Sequence, residues 1–162
     1  MSADTAEGLA MRLTELGLVL PVAVAPVANY APFVLSGSLL IVSGQLPFGA
    51  DGALALRHKG KLGGEVLSAH GRDAARLCAL NVLAQAQAAL GSLARVNRCL
   101  RLGGFINCRP HFQDLAAVMN GASDLMVDVF GDRGRHARST IGVAQLPLDA
   151  AVEVEAMFEI GA

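Results

Sequence analysis

The sequence predicts an α+β domain in which two long helices pack on one face of a single mixed β-sheet, after a short N-terminal helix. Three observations support this prediction. The segments Ser68–Leu93 and Pro110–Phe130 repeat apolar residues at helical spacing. Val152–Ile160 alternates between an apolar face and a mostly acidic face, as a half-buried strand does. The predicted elements also run in the order strand, strand, helix, strand, helix, strand, strand.

The chain begins with a predicted amphipathic helix over Ala3–Leu18, which ends near Gly17. The Val- and Ala-rich segment Pro21–Pro26 carries two prolines, so it is predicted to be an edge strand. We therefore expect an N-terminal helical extension over residues 1–20 and the main domain over residues 21–162.

A β-hairpin is predicted next, because the apolar runs Phe33–Leu35 and Leu39–Val42 flank a turn at Ser36-Gly37-Ser38. The glycine-rich segment Pro47–Gly64 is interpreted as a loop or a small hairpin.

The first long helix, Ser68–Leu93, carries an alanine-rich stripe typical of close packing on a sheet, and Gly91 is its expected stop. In the second, the pair Asn120-Gly121 interrupts the pattern. A glycine inside a helix costs about 1 kcal/mol relative to alanine, so a kink or a functional requirement is expected there.

Three further strands are predicted over Val96–Cys108, His136–Leu146 and Val152–Ile160. The two long helices can cover only one face of the resulting sheet. No predicted element remains for the other face, so we expect it to be covered by homo-oligomerisation.

The composition is that of a folded, nearly neutral domain. The chain has 162 residues, of which 53% are hydrophobic and 17% charged, and its formal net charge is −1. The length corresponds to about one domain, and the hydrophobic content excludes intrinsic disorder. Near-neutral charge and an aromatic content of 4% argue against a nucleic-acid partner, which would require basic patches and stacking side chains.

Several other classes of protein are disfavoured. No apolar run reaches the ~18 residues of a transmembrane helix, and the N-terminus has acids where a signal peptide has Lys or Arg. We therefore expect a cytoplasmic protein without a membrane partner. Three cysteines without a CxxC pair and four histidines in separate segments predict no metal site. The phosphate-binding glycine motifs and the GxSxG nucleophile elbow are absent from the sequence.

Two polar features stand out within the predicted strands. Arg138 lies in an apolar strand pattern, where an arginine must be paired or must face a pocket, so anion binding and a structural salt bridge are both open. Glu153 and Glu155 share one face of the last strand. They could perform acid–base chemistry, but the solvated face of an edge strand is the favoured interpretation.

Three motifs together resemble the reactive intermediate deaminase family, also called RidA/YjgF and formerly endoribonuclease L-PSP. Ser43–Pro47 is similar to its S-G-Q-[IL]-P motif. Arg138–Pro147 is similar to R-S-x-[VI]-x-V-x-x-L-P, and Val152–Ala156 to the terminal [IV]-E-[IV]-E-[AC]. The resemblance covers Pro26–Ile160 and points to a longer branch of the family.

The resemblance implies a chorismate-mutase-like fold and a homotrimer with clefts between subunits. It implies metal-free, cofactor-free hydrolysis of 2-imino or enamino acids to 2-oxo acids and ammonia. Arg138 would hold the substrate carboxylate and Glu153 would position the attacking water. Tyr30, Ser43 and Asn120 would complete the pocket. The alternatives are a non-catalytic module that binds small carboxylates and, third, an endoribonuclease.

Overall fold

A computed structural model describes residues 5–23 and 29–161. The predicted order of elements is confirmed. In chain order the helices and strands are α1 (Ala6–Glu15), β1 (Phe33–Ser36), β2 (Leu39–Gln45), α2 (Ser68–Leu90), β3 (Val96–Asn107), α3 (Leu115–Phe130), β4 (Ala137–Val143) and β5 (Val152–Ile160).

The strands form one five-stranded mixed sheet in the order β1-β2-β5-β3-β4. β3 and β4 are parallel, and the other neighbouring pairs are antiparallel. The edge-strand interpretation of Val152–Ile160 is wrong, because β5 pairs with β2 on one side and β3 on the other. Alternation within one strand reveals its two faces but not its neighbours, so the central position was hidden in the sequence.

Both long helices cover the same face of the sheet and pack against each other. Gly121 lies inside the continuous helix α3, so the predicted interruption at Asn120-Gly121 is absent. A Cβ atom at Gly121 would collide with the backbone carbonyl of Arg72 on α2. The glycine therefore serves the close approach of the two helices.

The expected stop of the first long helix at Gly91 is confirmed, whereas its predicted extension to Leu93 and the predicted start of the second long helix at Pro110 are wrong. α2 ends at Leu90, because Gly91 adopts the left-handed conformation (φ 75°) that stops it. α3 begins at Leu115 instead of Pro110. The chain before it forms a turn, in which the Phe112 N–H donates to the Arg109 carbonyl at 3.0 Å, and the Arg109 N–H itself donates to the Leu62 carbonyl at 3.0 Å.

The N-terminal helix packs on its own chain. Thr5 caps α1 by accepting a hydrogen bond from the Gly8 N–H at 3.0 Å. Leu9 is buried in the core, and the Arg12 Nε donates to the Asp128 carbonyl near the end of α3 at 2.8 Å. Within the predicted edge strand Pro21–Pro26, residues 21–23 form no strand and the others lie outside the described residues.

The second face of the sheet, here called the open face, is covered by no described element. It exposes apolar side chains on three strands: Val34 on β1, Ile41 on β2 and Ile141 on β4 are 51%, 40% and 50% exposed. Such surface favours a partner, since apolar side chains gain free energy on leaving water. Among the described helices, none is long and apolar enough to cross a bilayer.

Candidate functional site

The predicted site residues lie in two groups on opposite faces of the sheet. On β4, Arg138 is in register with Leu102 of β3, which is fully buried beneath the helices. Its side chain therefore points toward the helical layer. On β5, Glu153 is in register with Phe105 of β3. Its neighbours Val152 and Val154 are buried beneath the helices, so the Glu153 side chain points to the open face.

The first group, here called the arginine cluster, consists of Asn120, Ser123, His136 and Arg138. The Nη1 atom of Arg138 donates to the Asn120 Oδ1 at 2.9 Å and to the Ser123 Oγ at 3.0 Å. Both acceptors lie on α3, three residues apart and hence on one helix face.

Within the described part of the chain, Arg138 forms no salt bridge, and its Nε and Nη2 donate to no acceptor. The structural salt bridge left open by the sequence is thus not formed there. The guanidinium is fixed along one edge, while its other edge can bind an oxyanion through two parallel hydrogen bonds.

His136 extends this cluster and was not predicted as a site residue. Its Nε2 lies 3.0 Å from the Ser123 Oγ, and its Nδ1 lies 2.6 Å from the Gly134 carbonyl oxygen. Burial lowers the pKa of His136, the Gly134 carbonyl opposes this shift, and the charge of Arg138 lowers the pKa further. The net lowering of the pKa favours the neutral ring. The sequence signal was the i,i+2 spacing that places His136 beside Arg138.

The second group, here called the glutamate face, consists of Ser43, Gly44, Glu153 and Glu155. Glu153 is half-buried and lies against the backbone of Gly44, where a Cβ atom would collide with the Glu153 carboxylate. Burial raises the pKa of Glu153, and the nearby charge of Glu155 raises it further. No hydrogen-bond or ion-pair partner of Glu153 is found among residues 5–23 and 29–161.

The two glutamates of β5 differ in their surroundings. The Glu155 carboxylate lies 3.5 Å from the Arg101 guanidinium on β3, and it rests over Gly103. Arg101 in turn donates to the Ser139 Oγ at 3.3 Å. Glu155 is thus paired with an arginine, whereas Glu153 carries a poorly solvated carboxyl that no cation of the described residues pairs.

Ser43 joins β2 to the segment that carries Tyr30. The Ser43 Oγ donates to the Ala31 carbonyl at 2.7 Å, and the Ser43 N–H donates to the Pro32 carbonyl at 3.0 Å. Tyr30 itself is 52% exposed. Ser43 therefore fixes the chain beside Tyr30 and does not present a free hydroxyl proton.

The structure brings Arg138 together with Asn120, and Ser43 together with the segment of Tyr30 and, through Gly44, with Glu153. It does not bring Arg138 to Glu153, because β3 separates their strands and they face opposite sides of the sheet. No group of three or more His, Cys, Asp or Glu side chains in the described ranges is arranged to hold a metal ion.

Comparison with known proteins gives consistent matches. The family described as "YjgF/chorismate_mutase-like, putative endoribonuclease" matches residues 10–160. Protein TCP17 of Trypanosoma cruzi is 48% identical over 161 residues, covering 99% of each chain.

Solved structures share the fold. A protein of unknown function from Agrobacterium tumefaciens, Atu1372, has a TM-score of 0.87 and 45% identity, with 97% of this chain and 96% of that chain covered. TdcF of E. coli, solved with bound serine, has a TM-score of 0.60 and 25% identity, with 88% and 93% covered. The mixed sheet with helices on one face is thus the YjgF/chorismate-mutase-like fold.

Proposed function

This chain belongs to the YjgF/chorismate mutase-like family, described as "putative endoribonuclease", and from that premise we propose that it hydrolyses reactive 2-imino and enamino acids to 2-oxo acids and ammonia. The proposed sites are clefts between subunits of a homotrimer. The observation that carries the proposal is the guanidinium of Arg138, which α3 holds along one edge and whose other edge has no acceptor in the described chain.

Arg138 suits the binding of a carboxylate. A planar guanidinium and a carboxylate form two parallel hydrogen bonds, which fix the plane of the bound acid as well as its position. Asn120 and Ser123 hold Nη1, so Nε and Nη2 would face the substrate. TdcF contains bound serine, an amino acid with the same α-carboxylate that we assign to the substrate here.

Glu153 suits the hydrolytic step. A half-buried carboxyl with a raised pKa can accept a proton from water more readily than an exposed one. Water would add to the imine carbon and pass a proton through Glu153 to the nitrogen. Collapse of the resulting carbinolamine would release ammonia and leave the 2-oxo acid. The imine carbon is already electrophilic, so positioning of substrate and water supplies the main rate enhancement.

A homotrimer would reconcile the positions of the two groups. Arg138 and Glu153 face opposite sides of one sheet, so one chain cannot close both around a small molecule. A second copy packed against the apolar open face could bring its arginine cluster to the first copy's Glu153. Because such a contact joins two different surfaces, it forms a closed ring when the rotation between copies allows it.

The proposal is tested by an imine-hydrolysis assay. An amino-acid oxidase generates imines from a panel of amino acids, semicarbazide competes for them, and loss of the trapped adduct is followed. We expect acceleration by the wild type and a loss of at least about 100-fold in Arg138→Ala, the scale of a lost substrate clamp.

Arg135→Ala is the matched control, because Arg135 is an exposed arginine three residues away whose ion-pair partner in the described chain is Asp132 at the surface. Full activity of Arg138→Ala, or equal losses in both variants, would contradict the assigned clamp.

A non-catalytic carboxylate-binding module is the second candidate, because the arginine cluster would serve binding alone equally well. Saturable binding of pyruvate by the wild type, without faster imine decay, would favour it. An endoribonuclease is disfavoured by the net charge of −1 and the scarcity of aromatic side chains. Salt-sensitive RNA binding and cleavage would reverse that judgement.

A further inference from the structure

The arginine cluster contains a directed chain of hydrogen bonds that starts at the backbone of Gly134. The Gly134 carbonyl lies 2.6 Å from Nδ1 of His136, so Nδ1 must carry a proton. A lone pair on Nδ1 would face the carbonyl lone pairs at this distance and would be repelled. In the neutral ring the second nitrogen, Nε2, is therefore an acceptor.

The acceptor at Nε2 determines the direction of the Ser123 hydroxyl. The Ser123 Oγ lies 3.0 Å from Nε2 and 3.0 Å from Nη1 of Arg138. Arginine can only donate, so Ser123 accepts from Arg138 and gives its own proton to His136. Each hydrogen bond of this series therefore has one direction. The Ser123 hydroxyl, which would otherwise rotate, is held with a lone pair facing the Arg138 guanidinium.

The start of the chain is rigid. Gly134 is buried, and a Cβ atom there would collide with the carbonyl of Met126 on α3. The carbonyl that selects the tautomer of His136 is therefore fixed by backbone packing on the helix that also carries Ser123. A small displacement of the His136 ring would be transmitted to Arg138 through a single hydroxyl.

We propose that His136 acts through Ser123 as a positioning residue, which holds the Arg138 guanidinium in the plane that binds a substrate carboxylate. The identity of the ligand rests on the proposed function, whereas the hydrogen-bond chain itself does not. Neither His136 nor Ser123 needs to touch the substrate. The Nη1 edge would be fixed by two acceptors, Asn120 and Ser123, and the direction of the second is set by His136.

The first test is ¹⁵N NMR of the histidine rings in the intact protein at neutral pH. We expect His136 to show a protonated Nδ1 and an unprotonated Nε2 that accepts a hydrogen bond. Ser123→Ala should shift the Nε2 resonance and leave the Nδ1 hydrogen bond in place. A neutral ring protonated at Nε2, or no response to Ser123→Ala, would overturn the proposal.

The second test compares paired variants in pyruvate binding and in imine turnover. Ser123→Ala removes the hydroxyl at the centre of the hydrogen-bond chain, and His136→Asn removes the acceptor at Nε2. Each should weaken pyruvate affinity and raise KM about tenfold, the scale of one hydrogen bond to a charged group. The value of kcat should change less, because Arg138 itself remains in both variants and still holds the carboxylate of the substrate that is bound.

Conservative variants separate positioning from structural damage. Ser123→Thr keeps the hydroxyl, and His136→Gln places an amide oxygen near the position of Nε2, so both should recover most of the affinity at an unchanged unfolding midpoint. Equal losses in His136→Gln and His136→Asn would overturn the assigned role of Nε2.

The outcomes distinguish this proposal from the proposed function. If the wild type hydrolyses no imine but Ser123→Ala binds pyruvate more weakly than the wild type, the positioning role is kept and the deaminase is overturned. Imine hydrolysis with unaltered kcat and KM in Ser123→Ala and His136→Asn keeps the deaminase and overturns the positioning role. Neither binding nor hydrolysis by the wild type overturns both.

Discussion

The arginine cluster and the glutamate face differ in how far a single chain completes them. In the arginine cluster, Arg138, Ser123 and His136 all have hydrogen-bond partners from α3, β4 and the turn before β4. On the glutamate face, Glu153 has a raised pKa and no partner among the described residues. Exposed apolar side chains on neighbouring strands share its side of the sheet.

This difference indicates which half of the site depends on assembly. Folding of one chain positions the guanidinium, because α3 packs directly over β4. The same folding leaves a carboxyl poorly solvated beside an apolar surface, which is unfavourable in an isolated chain. We therefore expect the glutamate face to be completed by the arginine cluster of another copy, and the predictions below test that comparison.

The largest effect is expected from mixing two inactive variants. Arg138→Ala and Glu153→Gln each destroy one half of the site, so each homo-oligomer should be inactive. If the halves come from different copies, random mixing of equal amounts should restore about one quarter of the wild-type activity. One site in four then combines an intact Arg138 from one copy with an intact Glu153 from another.

The measurement is imine turnover after the two variants are unfolded together and refolded as a mixture. Each variant refolded alone and mixed afterwards without subunit exchange serves as the control. Mixed oligomers without activity, formed from variants that exchange subunits, would show that both halves act within one chain or that the shared site is misassigned.

A second prediction uses the contact between Gly44 and Glu153. The Cβ atom of Gly44→Ala would collide with the Glu153 carboxylate, which can swing away because it ends a flexible side chain. We expect turnover to fall about tenfold or more, as misplacement of a reacting group does, with only a small change in the free energy of unfolding.

Gly103→Ala is the matched control for this substitution. Its Cβ atom would displace the carboxylate of Glu155 on the same face, and Glu155 has no assigned role in the reaction. We expect turnover to be retained. Equal losses of turnover in Gly44→Ala and Gly103→Ala would indicate general damage to the sheet face.

The comparison also explains what the sequence could predict. Arg138 was identified because a charged residue in an apolar strand needs a partner, and the family motif gave it a role. Ser123 and His136 were missed because their contact depends on how the turn before β4 packs on α3, which Gly134 sets by its close approach to the Met126 carbonyl. No periodicity in either segment encodes that packing.

The contrast between Glu153 and Glu155 could not be predicted for a similar reason. Both occupy the same face of one strand and are equivalent in the pattern. What separates them is Arg101, which lies far away in sequence and reaches Glu155 only because β3 pairs with β5. The expected strands and helices followed from local patterns, whereas neighbours across the sheet did not.

A third prediction concerns stability and pH. The ordinary pKa of a glutamate is 4.5, and the folded state raises the pKa of Glu153. The carboxyl is protonated in both states at low pH, and its ionisation opposes folding increasingly as pH rises from below 4.5 through the raised folded value. Glu153→Gln should therefore raise the unfolding midpoint at pH 7, with a gain that fades toward acid pH.

Thermal unfolding of both proteins across this pH range measures the effect. Glu155→Gln should show no gain, because it loses the contact with Arg101. A Glu153→Gln variant without any gain at pH 7 would contradict a poorly solvated, unpaired carboxyl at Glu153 in the assembled protein.

The smallest effect is expected at Tyr30. Its side chain is half-exposed, and its hydroxyl has no hydrogen-bond partner in the described part of the chain. Tyr30→Phe should change the free energy of unfolding by less than about 0.5 kcal/mol, as exposed substitutions do. If the hydroxyl contacts substrate in the cleft, KM should still rise about threefold, the scale of one neutral hydrogen bond, while kcat stays constant. Steady-state kinetics on the best imine substrate would measure this split, and Tyr30→Leu, which also removes the ring, should raise KM further. Unchanged KM in both variants would show that Tyr30 does not contact the substrate.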